Sequence, residues 1–175
     1  MRQTLFELPP APPTPPPAPI PSAVLKAIQQ ATSQPALYVM AHSDRSAVKI
    51  GGVECAANAP RRLRDVARHH ARRLETRRWT DALPLELLVV LPIRNPAGAP
   101  IWPGDGTGLL SIEHRVRDVI SLRVGPPAPW WEWLAVRHEV DDSEWRRLLI
   151  DAVRRARKNL AAPPADPMGL FALAS

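Results

Sequence analysis

The sequence predicts a small α/β domain of the α+β kind, with a three-stranded, mainly antiparallel sheet flanked by helices. Two β-branched and aromatic runs, at 36–41 and 47–51, are separated by a polar turn, which is typical of a hairpin. A compact apolar run at 85–91 stands between Pro84 and Pro92, and its length and β-branched content indicate a buried central strand. Apolar residues recur at helical spacing in three longer segments. These segments are 61–78, 107–123 and 142–160.

Composition restricts the class of protein further. The 175 residues, 45% of them hydrophobic, suit one globular domain with tails. The single cysteine, Cys55, excludes an internal disulfide framework and a cysteine-based zinc cluster. No secretory signal and no apolar run of membrane-spanning length is visible, so we expect a cytoplasmic protein that does not enter a membrane.

The chain is strongly basic, and this points to an anionic partner. Its net charge is +6 and its pI is near 10.6. Nucleic acid is the simplest such partner. A merely solvated arginine surface would give the same composition, and that alternative stays open here.

The domain has predicted tails at both ends. Residues 1–22 are so rich in proline that we expect an extended, unpacked arm. Such an arm is either a spacer or a ligand for an aromatic-lined groove of a protein partner. Ser22 is expected to cap a short helix over 23–32. The domain is expected to span 23–160 and to be followed by a loose tail at 161–175.

The helix after the hairpin has two stripes. One is apolar, and the other is formed by four arginines that are expected to contact nucleic-acid phosphates. The arginines are Arg61, Arg64, Arg68 and Arg72. The later segment Trp130-Trp131-Glu132-Trp133-Leu134 is read as a short fourth strand, and we expect core packing for at least one face of its tryptophans, with base stacking as the alternative role.

The hairpin and the start of this helix resemble a known family. The first strand carries Ala36-Leu37-Tyr38, the second carries Lys49-Ile50-Gly51, and Arg62-Leu63 follows. This order resembles the opening of the GIY-YIG nucleases, and more narrowly their phage-type branch, whose second motif commonly reads Lys-Ile-Gly. The resemblance covers roughly 36–136. It departs from the family pattern at Ala36, where the motif has glycine, and at Val66, where several members have histidine.

The resemblance implies a GIY-YIG-like fold and a metal-dependent endonuclease that hydrolyses DNA phosphodiester bonds. It implies that Glu113, on the helix after the third strand, holds Mg²⁺ or Mn²⁺. An i,i+4 ion pair with Arg117 is the structural alternative for this carboxylate. The catalytic residues implied by the family are Tyr38, Lys49, Arg62 and Glu113.

Each of these side chains suits a step of phosphodiester hydrolysis. A guanidinium such as that of Arg62 can grip non-bridging phosphoryl oxygens with two hydrogen bonds. Tyr38 could orient or deprotonate the attacking water. Lys49 stands where the family has a second tyrosine, and its ammonium could favour ionisation of Tyr38, bind phosphate or be structural. A non-catalytic nucleic-acid-binding module on the same scaffold remains the alternative function.

Overall fold

The computed structural model describes residues 17–77, 84–93, 109–127 and 133–161. Within these residues it contains four α-helices and four strands, and a turn of 3₁₀ helix at Ala56–Asn58 leads into the second α-helix. In chain order the elements are α1 (Ser22–Gln30), β1 (Ala36–His42), β2 (Ala47–Val53), α2 (Ala59–Arg77), β3 (Leu85–Pro92), α3 (Leu109–Val124), β4 (Trp133–Ala135) and α4 (Asp142–Ala161).

The four strands form one antiparallel sheet in the order β3-β1-β2-β4. The predicted α+β class is therefore confirmed, but the sheet has four strands and not three. The fourth strand comes from the tryptophan segment. It is short, because β4 pairs with β2 only from Ala47 to Lys49. The remainder of β2, from Ile50 to Val53, has no β4 partner among the described residues.

The place of β3 differs from the prediction. The apolar run was expected to form a central strand, and this is wrong because β3 lies at the edge of the sheet beside β1. Helices nevertheless cover both of its faces, so its residues are mostly buried and the run is apolar except at Glu86. The pairing of β1 with β3 also has a register shift between Val39 and Met40, which leaves Leu88 of β3 without a paired residue. As a result, the successive residues Leu88 and Val89 both pack in the back-face cluster.

The sheet has a hydrophobic cluster on each face. We call the face covered by α1 and α2 the front face; its strand residues include Tyr38 and Met40. The back face is covered by α3 and α4 and includes Val39 and Ile50. Successive strand residues point to opposite faces, so a β1 buried along its whole length requires helices on both.

The start of the domain differs in detail from the sequence prediction. Ser22 is not the cap of α1: Pro21 holds that position, without a side-chain hydrogen bond, and α1 ends at Gln30. The last residues of the predicted arm contact the domain, since the Ala18 N–H donates to the Leu85 carbonyl (3.1 Å) and Ile20 packs on the front-face cluster. The rest of the arm, 1–16, and the tail at 162–175 lie outside the described residues.

Candidate functional site

Tyr38 and Lys49 lie on the front face of the central hairpin. Tyr38 pairs with Gly51, and Met40 pairs with Lys49, so the two side chains are diagonal neighbours on one side of the sheet. Both are nearly inaccessible to solvent, with 1% of Tyr38 and 6% of Lys49 exposed. The antiparallel register of the two sequence motifs therefore brings these residues together.

Gly51 makes room for the tyrosine ring. A Cβ atom at this position would overlap the Tyr38 hydroxyl and its Cζ atom, and would lie 2.9 Å from Cε2. Real Cβ atoms do not approach other atoms so closely, so a side chain here would displace the ring. The second motif therefore requires glycine at position 51, because the Tyr38 ring lies directly across the backbone of β2 there.

Glu113 reaches the same part of β2 from the back-face helix α3. It accepts a hydrogen bond from the Gly52 backbone N–H and interacts electrostatically with Lys49, and more weakly with His114 and Arg117. The half-buried position of Glu113 raises the pKa of its carboxyl, and the hydrogen bond and the neighbouring cations act in the opposite direction. This carboxylate therefore satisfies a strand N–H where β4 has ended.

The arginines of α2 fall into two groups. Arg62 is exposed and lies at the margin of the helix stripe that packs on the front face. Arg61 and Arg68 are exposed on the opposite side of the helix, away from the sheet, and Arg64 is exposed on the flank opposite to Arg62. Tyr38 and Lys49 thus lie together on the front face, whereas Glu113 reaches Gly52 from the back-face helix α3. Arg62 lies on the helix that covers the front face. The other three arginines are separate from this group.

Some predicted residues lie beyond what the structure describes. Arg72 belongs to α2, but its side chain is outside the described part of the chain. Trp130, Trp131 and Glu132 are also outside it. Trp133 is described and buried, with 4% of its surface exposed, so it packs in the front-face cluster and offers no open ring for base stacking.

His42 is a member of this face that the sequence prediction missed. The polar segment starting at His42 was expected to be a turn, but His42 is the last residue of β1 and is buried. Its ring packs against Trp133 with centroids 4.9 Å apart and planes tilted by 59°. Burial lowers the pKa of His42, while the charge of Asp44 acts to raise it. The alternation Tyr38, Met40, His42 along β1 is the signal that would have found it.

A hard divalent cation fits this group of residues in one specific way. Across the described residues there is no cluster of three or more His, Cys, Asp and Glu side chains that could hold a metal ion. Mg²⁺, however, is commonly bound by one or two carboxylates, with waters and substrate phosphates completing its shell. Glu113 can supply one such carboxylate. Among the described residues, Glu113 thus offers one carboxylate to a hydrated Mg²⁺, whose other ligands would be waters and phosphate oxygens.

Comparison of the chain with family models, with curated proteins and with solved structures gave no match. Among the helices that the structure describes, none combines the length and the apolar character that crossing a bilayer requires. The functional argument therefore depends on the site itself.

Proposed function

We propose that the protein is a metal-dependent endonuclease that hydrolyses DNA phosphodiester bonds with Tyr38, Lys49, Arg62 and Glu113. The observation that carries this proposal is that Glu113 accepts a hydrogen bond from the Gly52 N–H of β2 and interacts electrostatically with Lys49 of the same strand, although Glu113 is far from both in the sequence. The element order is also the one that the GIY-YIG resemblance implies. A hairpin is followed by a helix, a third strand, a helix with a glutamate, and a closing strand.

The protein groups would divide the chemistry as follows. Arg62 would hold the non-bridging oxygens of the scissile phosphate through paired hydrogen bonds. The Tyr38 hydroxyl would orient the water whose oxygen forms the new bond to phosphorus as the P–O ester bond breaks. Lys49, beside Tyr38, would stabilise the negative charge that develops on the phosphoryl oxygens and on the attacking water oxygen. A Mg²⁺ ion held by Glu113 would neutralise phosphoryl charge and favour ionisation of water when bound.

Cleavage of supercoiled plasmid in Mg²⁺ or Mn²⁺, compared with EDTA, tests the proposal. We expect the wild-type protein to nick the plasmid only with metal, and Glu113→Gln to lose this activity. The amide oxygen of Gln can still accept the Gly52 N–H, so the fold and DNA binding should persist. Glu139→Gln, at an exposed acid, is the matched control and should cut normally. Cutting by the Glu113→Gln variant would remove Glu113 from the site.

The adjacent arginines of α2 provide a second test. Arg62→Ala should abolish nicking, because it removes the proposed phosphate clamp from the margin of the front face. Arg61→Ala removes the same charge one residue earlier, from the side of the helix that faces away from the sheet. It should therefore weaken DNA binding but leave the cutting rate at saturating DNA unchanged. Equal loss of cutting in both variants would argue against the specific assignment of Arg62.

A non-catalytic DNA-binding module is the second proposal, and it has an observation of its own. Tyr38 and Lys49 are almost completely buried, whereas Arg61 and Arg68 are exposed on the outer side of α2 and Arg64 is exposed on its flank. Binding of DNA phosphates would account for these exposed arginines without any catalytic activity. Well-folded wild-type protein that binds DNA tightly, loses affinity steeply with salt and never nicks it would favour this module.

A further inference from the structure

The outer side of α2 presents arginines at a regular interval. Arg61 and Arg68 are about two helical turns apart, so they lie on the same side of the helix. That side is opposite to the stripe formed by Leu63, Val66 and Ala67, which packs in the front-face cluster. The exposed fraction of the side chain is 78% for Arg61 and 65% for Arg68. We call the surface formed by these two arginines the α2 surface.

Helix α4 repeats this arrangement. Arg147 and Arg154 are also about two turns apart and exposed. They lie opposite to the buried stripe of α4, which packs in the back-face cluster. The stripe consists of Trp145, Leu149, Ala152, Val153 and Ala156. We call the surface formed by Arg147 and Arg154 the α4 surface.

The two surfaces point away from each other, because α2 covers the front face of the sheet and α4 covers the back face. Each helix has a diameter of about 10 Å, and the sheet lies between them. The surfaces are therefore separated by more than two Debye lengths, each of about 8 Å at physiological ionic strength. A straight duplex lying on one surface would be screened from the charges of the other.

Carboxylates beside these arginines do not prevent an anion from binding to the two surfaces. Asp65 lies 2.7 Å from Arg68 and 4.0 Å from Arg61, and Asp151 lies 3.6 Å from Arg154. Exposed ion pairs of this kind are weak and are screened by salt. A DNA phosphate gains in addition from the release of condensed counterions, so it can compete with these aspartates for the guanidinium groups.

We propose that the α2 and α4 surfaces each bind a separate DNA duplex, so that one molecule of the protein bridges two duplex segments. This inference rests on the DNA-binding part of the proposed function and needs no cleavage. The partner is a second duplex and not a longer stretch of the first, because the two arginine pairs lie on opposite sides of the sheet. Bridging would hold two DNA segments on opposite sides of the sheet.

Resonance energy transfer between two short duplexes tests the bridge, one labelled with a donor and the other with an acceptor. EDTA in all samples keeps cleavage out of the measurement. We expect the wild-type protein to produce transfer that disappears at high salt and at a large excess of protein, where each duplex has its own protein molecule. The variants Arg61→Gln with Arg68→Gln, and Arg147→Gln with Arg154→Gln, should each still bind one duplex but lose the transfer signal.

The control removes two exposed cations from other elements, through Lys26→Gln with Arg137→Gln, and should bridge as the wild type does. Light scattering without DNA detects a dimer, which could bridge through two copies of one surface. Transfer that survives in either double-arginine variant would overturn the two-surface assignment. So would wild-type protein that binds duplex in an anisotropy titration and gives no transfer. Failure of the nicking assay would leave this result unaffected.

Discussion

Among single residues, the buried titratable side chains of the β1–β2 hairpin differ most from an ordinary apolar core. Among the described residues, His42 and Lys49 are the polar or charged ones that are buried, and both face the front of the sheet. Burying such groups costs free energy unless their surroundings satisfy them. Apolar residues at both positions would give a simpler core. Their presence on the face that also carries Tyr38 is what we expect where function and not packing selects the side chain.

Glu113 should make stability depend on pH. Because burial raises its carboxyl pKa above the ordinary value of 4.5, the folded protein binds this proton more tightly than the unfolded chain does. The resulting stabilisation is complete below the ordinary pKa and is lost as pH rises through the raised pKa. Wild type should therefore lose unfolding free energy over this window relative to Glu113→Gln. Urea titrations at a series of pH values measure this difference.

The exposed acid Glu139 gives the control for this experiment. Glu139→Gln makes the same acid-to-amide change at an exposed position and is measured alongside. If Glu113→Gln ran parallel to wild type, the carboxyl of Glu113 would not differ between the folded and unfolded states. In that case its environment would not be the half-buried one described above.

Gly51 and Tyr38 should be energetically coupled. Gly51→Ala places a methyl group where the Tyr38 ring lies, and overpacking of this kind typically costs about 1–3 kcal/mol. In a Tyr38→Ala background the ring is absent, so the same change should cost much less. Urea unfolding of the four proteins of this double-mutant cycle measures the coupling. An equal cost of Gly51→Ala in both backgrounds would contradict the close contact.

At the scale of elements, the β1–β2 turn is held by more than its backbone. The Arg45 N–H donates to the His42 carbonyl (2.9 Å), and Asp44 accepts hydrogen bonds from the backbone and hydroxyl of Ser46. Arg45 itself has φ of 60°, in the left-handed region that is rare for residues with a side chain. Its guanidinium pairs with Glu86 of β3 and Asp142 of α4, both at 2.9 Å.

This geometry predicts an unusual order of stability for two variants of Arg45. Both Arg45→Ala and Arg45→Gly lose the two ion pairs, each worth about 0–1 kcal/mol. Only the alanine retains the left-handed steric cost, which is roughly 1–2 kcal/mol. The glycine variant should therefore be the more stable of the two in urea unfolding. An alanine variant that equals or exceeds it would show that the turn does not hold residue 45 at positive φ.

Helices and strands defined by local sequence signals were predictable. The order of the strands in the sheet was less predictable. The hairpin followed from its strand-forming residues and its turn cluster, and α3 from its apolar spacing. The edge position of β3 could not be read from its residues, because coverage by helices makes an edge strand as apolar as a central one. His42 was assigned to the turn because its polarity outweighed the alternation that places it on the strand.

At the scale of the molecule, the candidate site depends on distant parts of the chain. Tyr38 and Lys49 were expected to lie close together because they stand on adjacent strands of one hairpin, and the register that pairs Met40 with Lys49 places both on the same face. The contact between Glu113 and Gly52 depends on how α3 is placed relative to β2. Residue spacing along the chain does not predict this placement. The family resemblance supplied the expectation for Glu113, and the packing supplies its contacts.

The two hydrophobic clusters share the strands of one sheet, so they should unfold as a single unit. Leu63 of α2 belongs to the front-face cluster and Leu149 of α4 to the back-face cluster, with 1% and 0% of their surfaces exposed. Replacing either by Ala removes buried methyl groups and should cost about 2–5 kcal/mol. Leu122→Ala is the matched control, since this leucine is 88% exposed and its loss should change stability little.

The measurement follows urea unfolding of each variant by far-ultraviolet circular dichroism and by tryptophan fluorescence. Since β1 and β2 contribute side chains to both clusters, loosening one cluster should destabilise the strands that support the other. We therefore expect both probes to report one coincident transition, shifted to lower urea by each buried substitution. A separate early transition in only one variant would mean that the helices on that face dissociate from a sheet that stays folded. The front face carries Tyr38 and Lys49, so coincident unfolding would tie the integrity of the candidate site to the packing of α4 on the opposite face.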